Sequence, residues 1–254
     1  MSNTLISQRL HDQLGHIISL TEPGGRLPSE PDLAKQLHVS RATLREAMRT
    51  FETQGIIRRR QGSGTYVNLP PRVLESGLEM LESIETIAER IGLSVTVCDL
   101  RVELRQADPE DCRTLSLAQS EQVIEVRRVI QAENRPVAFL IDILPADVLS
   151  PDELEGDFSG SILDFLLERG KPDLLTSRTE ISAVTATSPV ARALGIQRGD
   201  VLLQFSADLF STQGQVIDHS FSYFLPGYFR FHVVRRVGPE RQMFNLSEKS
   251  AVGS

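Results

Sequence analysis

The chain of 254 residues has room for two domains, each able to bury its own core. Its 40% hydrophobic and 24% charged content excludes a disordered or low-complexity polymer, and no run of about eighteen apolar residues is present to span a bilayer. The formal net charge of −7 conceals a division: residues 1–69 hold nine Lys+Arg against six Asp+Glu, whereas residues 70–254 hold eighteen against twenty-eight. The basic end is therefore the part suited to a polyanion, and the acidic remainder does not argue against nucleic-acid binding.

The first segment carries Ile6, Leu10, Leu14, Ile17 and Ile18 on one face of an amphipathic helix. It has no basic stretch followed by a continuous apolar core, so a secretory signal is not expected. Residues 27–67 then give a helix, a tight turn, a second helix and a two-stranded wing. Ser29 is placed to cap the first helix with Asp32 completing a capping box, and Pro31 fits a first turn. Ser40 caps the second helix, whose Leu44, Ala47, Met48 and Phe51 recur at the helical period and predict a buried face. Arg41, Arg45 and Arg49 recur every fourth residue on another face, a stripe that suits phosphates and guanine edges in a major groove. After Gly55, residues 56–60 and 65–67 form strands joined by Gln61, Gly62, Ser63 and Gly64, a tip able to approach a narrow groove.

Three pieces in order, LPSE, VSRATLREAMRTFETQGII and RRRQGSGTYV, resemble the winged helix-turn-helix of the GntR family of bacterial transcription regulators. The resemblance implies contacts to double-stranded operator DNA from Arg26, Ser40, Arg41, Thr43, Arg45, Arg49, Gln61, Gly62 and Ser63, and a homodimer on a near-palindromic site. Pro31 departs from the family, which commonly has a basic residue directly after LPSE; that contact is lost or passes to Arg26 or Lys35.

Asn68, Leu69, Pro70 and Pro71 break regular structure, so a boundary is expected there, with residues 70–92 as linker and connecting helix. Leu74, Leu78, Leu81, Ile84, Ile87, Ala88 and Ile91 supply the helical stripe. Beyond it, residues 93–107, 122–132, 136–144, 174–186, 201–211, 215–225 and 229–237 read as strands, with helices at 109–117, 161–169 and 188–195. The turns Glu133-Asn134-Arg135 and Thr212-Gln213-Gly214 make two hairpins. The fold class is α+β: an N-terminal domain over residues 1–69, an antiparallel-sheet domain over 93–240 and a tail over 241–254.

This second block resembles the effector domain of the HutC subfamily of GntR regulators, the UTRA domain of chorismate lyase-like fold. The resemblance rests on RRVIQAENRPVAFLIDILP, on Ser161 opening a short helix, on Ala191 to Gly195 and on FSYFLPGYFRFHVVRR. It implies a pocket for a small metabolite whose binding alters DNA affinity.

Period-two reading puts Arg128 in the middle of an otherwise apolar strand face, opposite Leu140 and diagonal to Asp142. A buried guanidinium needs a partner, so it either pairs with Asp142 or meets an anionic effector; the second is the working expectation. Ser161 matches a ligand-contacting serine of the family, and Tyr223 a ligand-facing tyrosine. Ile130, Leu140 and Leu163 stand where relatives often have polar groups, which makes the expected effector partly apolar. Arg178 is a further candidate, although Glu180 two residues on shares its face and can pair with it. The effector set is thus Arg128, Asp142, Ser161, Arg178 and Tyr223.

Cys98 and Cys112 lie far apart in sequence without a nearby His, so no metal site, disulfide or cofactor is expected. The reading is a ligand-responsive regulator, expected in the cytoplasm and associated with the nucleoid, with no membrane partner. The alternative is an enzyme of lyase-like fold with an accessory winged helix, but no nucleophile with a base and no paired acids can be read.

Overall fold

The computed structural model describes residues 2–53, 55–60, 63–68, 74–154, 158 and 160–234. The expected tail at 241–254, Pro70 and Pro71, and the wing-tip residues Gln61 and Gly62 lie outside them.

The N-terminal unit is built from α1 (Ser2–Ser19), α2 (Glu30–Gln36), α3 (Arg41–Thr53) and the hairpin of β1 (Ile57–Arg60) and β2 (Gly64–Val67). Its core joins Leu14 and Ile18 of α1 to Leu33, Leu44, Met48, Phe51, Ile57 and Val67, so the periodic faces read from sequence converge on one another. Ser29 caps α2 by accepting from the Asp32 N–H at 3.4 Å. The expected reciprocal half of the capping box is replaced, because the Ser29 hydroxyl donates to the Asp32 carboxylate at 2.5 Å. Ser40 accepts from the Thr43 N–H at 3.1 Å, which starts α3.

The connecting segment departs from its helical reading. Residues 74–91 split into β3 (Leu74–Gly77) and α4 (Ile84–Arg90), with Ser83 capping α4. β3 forms a parallel pair with β10 (Phe229–His232), in register Leu74 opposite Phe229. The stripe was apolar because Leu74, Ile87 and Ala88 all bury into one small cluster with Phe229 at its edge; the same residues satisfy a strand followed by a short helix.

The remaining elements are β4 (Val95–Gln106), α5 (Pro109–Thr114), β5 (Gln122–Ala132), β6 (Arg135–Pro145), α6 (Ile162–Arg169), β7 (Leu174–Thr185), α7 (Ser188–Leu194), β8 (Val201–Ser211) and β9 (Val216–Phe224), with a 3-10 turn at Pro151–Leu154. Six strands make one antiparallel sheet in the order β4-β5-β6-β9-β8-β7. The β5–β6 turn contains two residues, Glu133 and Asn134, both in the left-handed region, rather than the expected three. A bulge at Val137 restores the count, so Arg128 still lies opposite Leu140.

The sheet buries both faces. One packs on the 3-10 turn and α6 through Ile124, Val126, Leu144, Leu166 and Leu209. The other packs on α7 through Val129, Phe139, Val190 and Leu202, and on the α5 region through Val123, Ile143 and Leu115. Because the first face is only partly covered, a cavity is left between the sheet and α4, α6 and β3.

Candidate functional site

In the N-terminal unit, the residues exposed along α3 descend directly from its periodicity. Leu44 and Met48 are fully buried, which turns Arg41 and Arg45 outward with side chains 60% and 55% exposed. Glu30 at the start of α2 fixes them: its carboxylate accepts from Arg45 Nε at 2.7 Å and lies 4.0 Å from Arg41 Nη2 and Arg59 Nη1. Ser40 and Thr43 are exposed at the N-terminal end of α3, and Arg26 is exposed and bridges Tyr66 on the wing. Ser63 is half-buried, with Oγ 2.8 Å from Tyr66 Oη, and the Arg60 guanidinium stacks 5.2 Å above that ring.

Arg49 differs from the rest of the stripe. Its Nη1 pairs with Glu46 at 3.0 Å and its Nη2 donates to Asp200 Oδ1 of the sheet domain at 3.2 Å. Asp200 sits in the turn before β8 and also accepts from the Gln197 N–H at 3.0 Å. The seam continues at Gly55, whose φ of +69° admits glycine readily and where an added Cβ would lie 2.8 Å from the Tyr228 ring. Sequence periodicity put Arg49 on the groove-facing stripe; only the tertiary arrangement supplies its acidic partner.

The second site is the cavity, of about 700 Å³. Strand alternation decides what faces it. On β9 the even positions Asp218, Ser220 and Ser222 line it, as do Leu140 and Asp142 on β6 and Phe205, Ala207 and Leu209 on β8. The opposite wall is Ser76 to Ile87, the segment that follows the winged unit, together with Ser161 and Leu163.

Arg128 is 5% exposed and Asp142 7% exposed, and Arg128 Nη1 donates to Asp142 Oδ2. The internal pair weighed from the sequence is thus formed: the diagonal neighbour on β6 supplies the carboxylate, and Arg128 lines the cavity with its charge already matched. Ser161 is buried and caps α6, accepting from the Asp164 N–H at 3.1 Å, and Asp164 in turn accepts from the Ser83 hydroxyl at 2.6 Å. This links the caps of α4 and α6 at the cavity wall.

Two of the five candidates lie elsewhere. Tyr223 is on the other sheet face, against Phe139 with ring centroids 6.2 Å apart, and accepts from Gln204 Nε2 at 3.2 Å. Register explains this: β9 residues alternate, and Asp218, Ser220 and Ser222 took the cavity side. Arg178 is 71% exposed and pairs with Glu180 at 2.8 Å, on the side away from Ser177 and Thr179, which do line the cavity. Ile130 of the expected apolar wall belongs to a neighbouring core, whereas Leu140 and Leu163 line the cavity.

Two acidic residues of the cavity escaped the sequence reading. Asp218 is 6% exposed. Burial raises its carboxyl well above the usual range, the nearby Asp142 adds to this, and Arg128 opposes it. Glu85, in the first turn of α4, is also held above the ordinary value by burial, opposed by a backbone hydrogen bond and the Arg128 charge and reinforced by Asp164 and Asp142. The alternation Asp218, Ser220, Ser222 was a usable signal for a polar strip facing a cavity. Glu85 carried none, because the helix was read as a plain connector.

Two family profiles cover this architecture: one described as bacterial regulatory proteins, gntR family, over residues 6–67, and one described as the UTRA domain over residues 90–230, more than half of the chain. The chain belongs to the GntR family and carries a UTRA domain. Among GntR relatives, the HTH-type transcriptional regulator Rv0792c of Mycobacterium tuberculosis is 30% identical over 216 residues, covering 83% of this chain and 77% of the relative. The HTH-type transcriptional repressor NagR of Bacillus subtilis is 26% identical over 199 residues, 78% of this chain and 81% of the relative. The mannosyl-D-glycerate transport/metabolism system repressor MngR of Escherichia coli is 27% identical over 230 residues, 90% and 93% respectively. In fold, the crystal structure of PhnF from Mycobacterium smegmatis matches 90% of this chain and 100% of its own with a TM-score of 0.61 at 21% identity. The fold of this chain, a winged unit followed by an antiparallel sheet, is thus shared with that crystal structure.

Proposed function

We propose that this GntR-family regulator binds operator DNA as a homodimer and that a small molecule in the sheet cavity alters its affinity. One observation carries the coupling. The cavity wall from Ser76 to Ile87 is the stretch of chain that follows the winged unit, so a ligand touching that wall touches the connection between the domains. A ligand changes DNA affinity only by binding two arrangements of the protein unequally, and this wall gives it contacts that an inter-domain movement would change.

At the DNA end, Ser40, Arg41, Thr43 and Arg45 make the groove contacts, with phosphate contacts from Arg26 and the wing at Gln61, Gly62 and Ser63. Glu30 holds the Arg45 guanidinium at 2.7 Å, which orders a long side chain before DNA arrives. Domain limits at residues 1–69, 70–92, 93–240 and 241–254 go with this assignment, as does residence in the cytoplasm alongside the nucleoid. A single winged unit buries little surface, and a homodimer places two such units about one helical turn, 34–36 Å, apart on a pseudo-palindrome. The protein acts by binding and not by catalysis. Asp142 already matches the Arg128 charge, so the arginine by itself does not call for an anionic effector.

The test is operator binding by a duplex selected from random sequence, followed by sedimentation with and without it. Wild type is expected to sediment as a dimer at micromolar concentration. Arg45→Ala is expected to lose about 1–3 kcal/mol of operator affinity and to relax preference at one base pair of each half-site. A strict monomer with and without DNA, or Arg45→Ala binding at full strength and specificity, would count against this function.

A further inference from the structure

The cavity holds more acid than base. Arg128 is the one Lys or Arg among the described residues that line it, and Asp142 already neutralises it. Asp218 and Glu85 line the same space without a cation of their own. Asp218 hydrogen-bonds the Ile143 backbone and the Asp142 side chain, yet its Oδ1 meets no hydrogen-bond partner among the described residues. Glu85 Oε1 is likewise buried without a partner. The other carboxylates nearby are engaged: Glu82 pairs with Arg90, Glu79 accepts from the Val234 N–H, and Asp164 accepts from the Ser83 hydroxyl at 2.6 Å. Asp218 is 6% exposed and Glu85 half-buried, and a buried carboxyl oxygen left without a partner is costly to keep unless something binds it.

We infer that the effector is an organic cation, an ammonium or amidinium group on an apolar body, whose charged head is held by Asp218 and Glu85. The inference rests on the reading of the cavity as the effector site. The head would donate N–H bonds to the two open carboxyl oxygens, charge-assisted once both are ionised. The body would lie against Phe205, Phe224 and Phe231, whose rings are within 4.4–5.1 Å of one another, with Leu140 and Leu163 beside them. Arg128 Nε is also buried without a partner. Because the guanidinium charge is already matched by Asp142, a neutral hydroxyl or carbonyl oxygen of the ligand suffices there. A phosphate or carboxylate head would instead meet the Asp142 charge and an arginine already shared with it, and could stay only with Asp218 and Glu85 protonated.

Proton traffic separates these cases. Both open carboxyls are pushed toward their neutral forms in the empty cavity, so a cation must drive protons off as it binds. Affinity for a cation therefore rises with pH, whereas an anion would take protons up and bind better as pH falls.

The experiment uses the full chain with three matched probes: phenylbutylammonium, phenylbutanol and phenylbutyrate. Thermal shift is followed by calorimetry in buffers of different ionisation heat, on wild type, Asp218→Asn, Glu85→Gln and Ala207→Trp, the last narrowing the cavity from its sheet side. The expected result is stabilisation of wild type by the ammonium probe above the other two, with proton release. In Asp218→Asn its affinity should fall at least about tenfold with the fold intact, because one buried countercharge is gone. Preference for phenylbutyrate or phenylbutanol, or no response to the ammonium probe, overturns the cation inference. Stabilisation that persists undiminished in Ala207→Trp overturns the cavity as the site, a separate failure.

Discussion

Asp218 shows how a side chain with a binding role can work against the fold. Its carboxyl is raised in the folded chain, mainly by burial, so the folded form holds a proton that the unfolded chain releases near the ordinary value. The contribution to stability is full below the unfolded pKa and is lost as pH rises through the folded one. Asp218→Asn removes this penalty. The variant is expected to melt higher than wild type at neutral and mildly alkaline pH and to show a flatter decline with pH; equal slopes in a melting series from acid to alkaline pH would refute it. The same substitution should weaken the ammonium probe, so a gain in stability and a loss of ligand affinity are expected together. Arg128 stands in contrast: its partner is internal, and truncating either member leaves a buried charge without compensation.

At the scale of elements, the strand β3 does most to connect the two sites. It pairs in parallel with β10, Leu74 N donates to the Tyr228 carbonyl at 2.9 Å and Leu78 N to the His232 carbonyl at 2.9 Å. Leu74 is 1% exposed and packs with Ile87 and Ala88, so strand and helix α4 hold each other in place over the cavity. Leu74→Ala removes a fully buried side chain and is expected to cost about 2–5 kcal/mol, read by denaturant unfolding. The loss should fall on the sheet domain, because the winged unit has its own core around Leu44 and Met48. Equal losses of protection across both domains in hydrogen exchange would mean that β3 belongs to neither core separately.

For the whole molecule, the seam between domains decides what α3 can reach. Arg49 donates to Asp200 at 3.2 Å while Arg41 and Arg45 stay exposed, so one arginine of the stripe is turned to the sheet domain and two to solvent. The side chain of Arg49 is 27% exposed, so its pair with Asp200 is partly screened and its energy is modest. If Arg49 serves the duplex, it must leave Asp200 first. Asp200→Asn is then expected to raise operator affinity by a few fold without altering specificity, measured by fluorescence anisotropy at fixed salt. Unchanged or weakened binding would mean that the docked arrangement is the DNA-binding one and that Asp200 supports it.

Local periodicity alone determined most of the architecture. The strands at 122–132 and 201–211 match β5 and β8 to the residue, because turn residues bound them, Glu133-Asn134 after the first and Gly199-Asp200 before the second. The Arg stripe of α3 was equally legible, since burial of Leu44 and Met48 fixes the opposite face by helical geometry. The segment from Leu74 to Ile91 was not, because its apolar spacing serves a strand and a short helix as well as one long helix, and only its pairing with Phe229 chooses. Which face of β9 would meet the cavity was also open: Tyr223 and Asp218 sit on opposite sides, and the sequence offers both an aromatic and a polar row. Sheet register and the placement of α4 settle that choice. They bring Asp218, Asp142, Arg128 and Glu85 together from residues up to 133 positions apart in the chain (85 and 218), a convergence that no local pattern encodes.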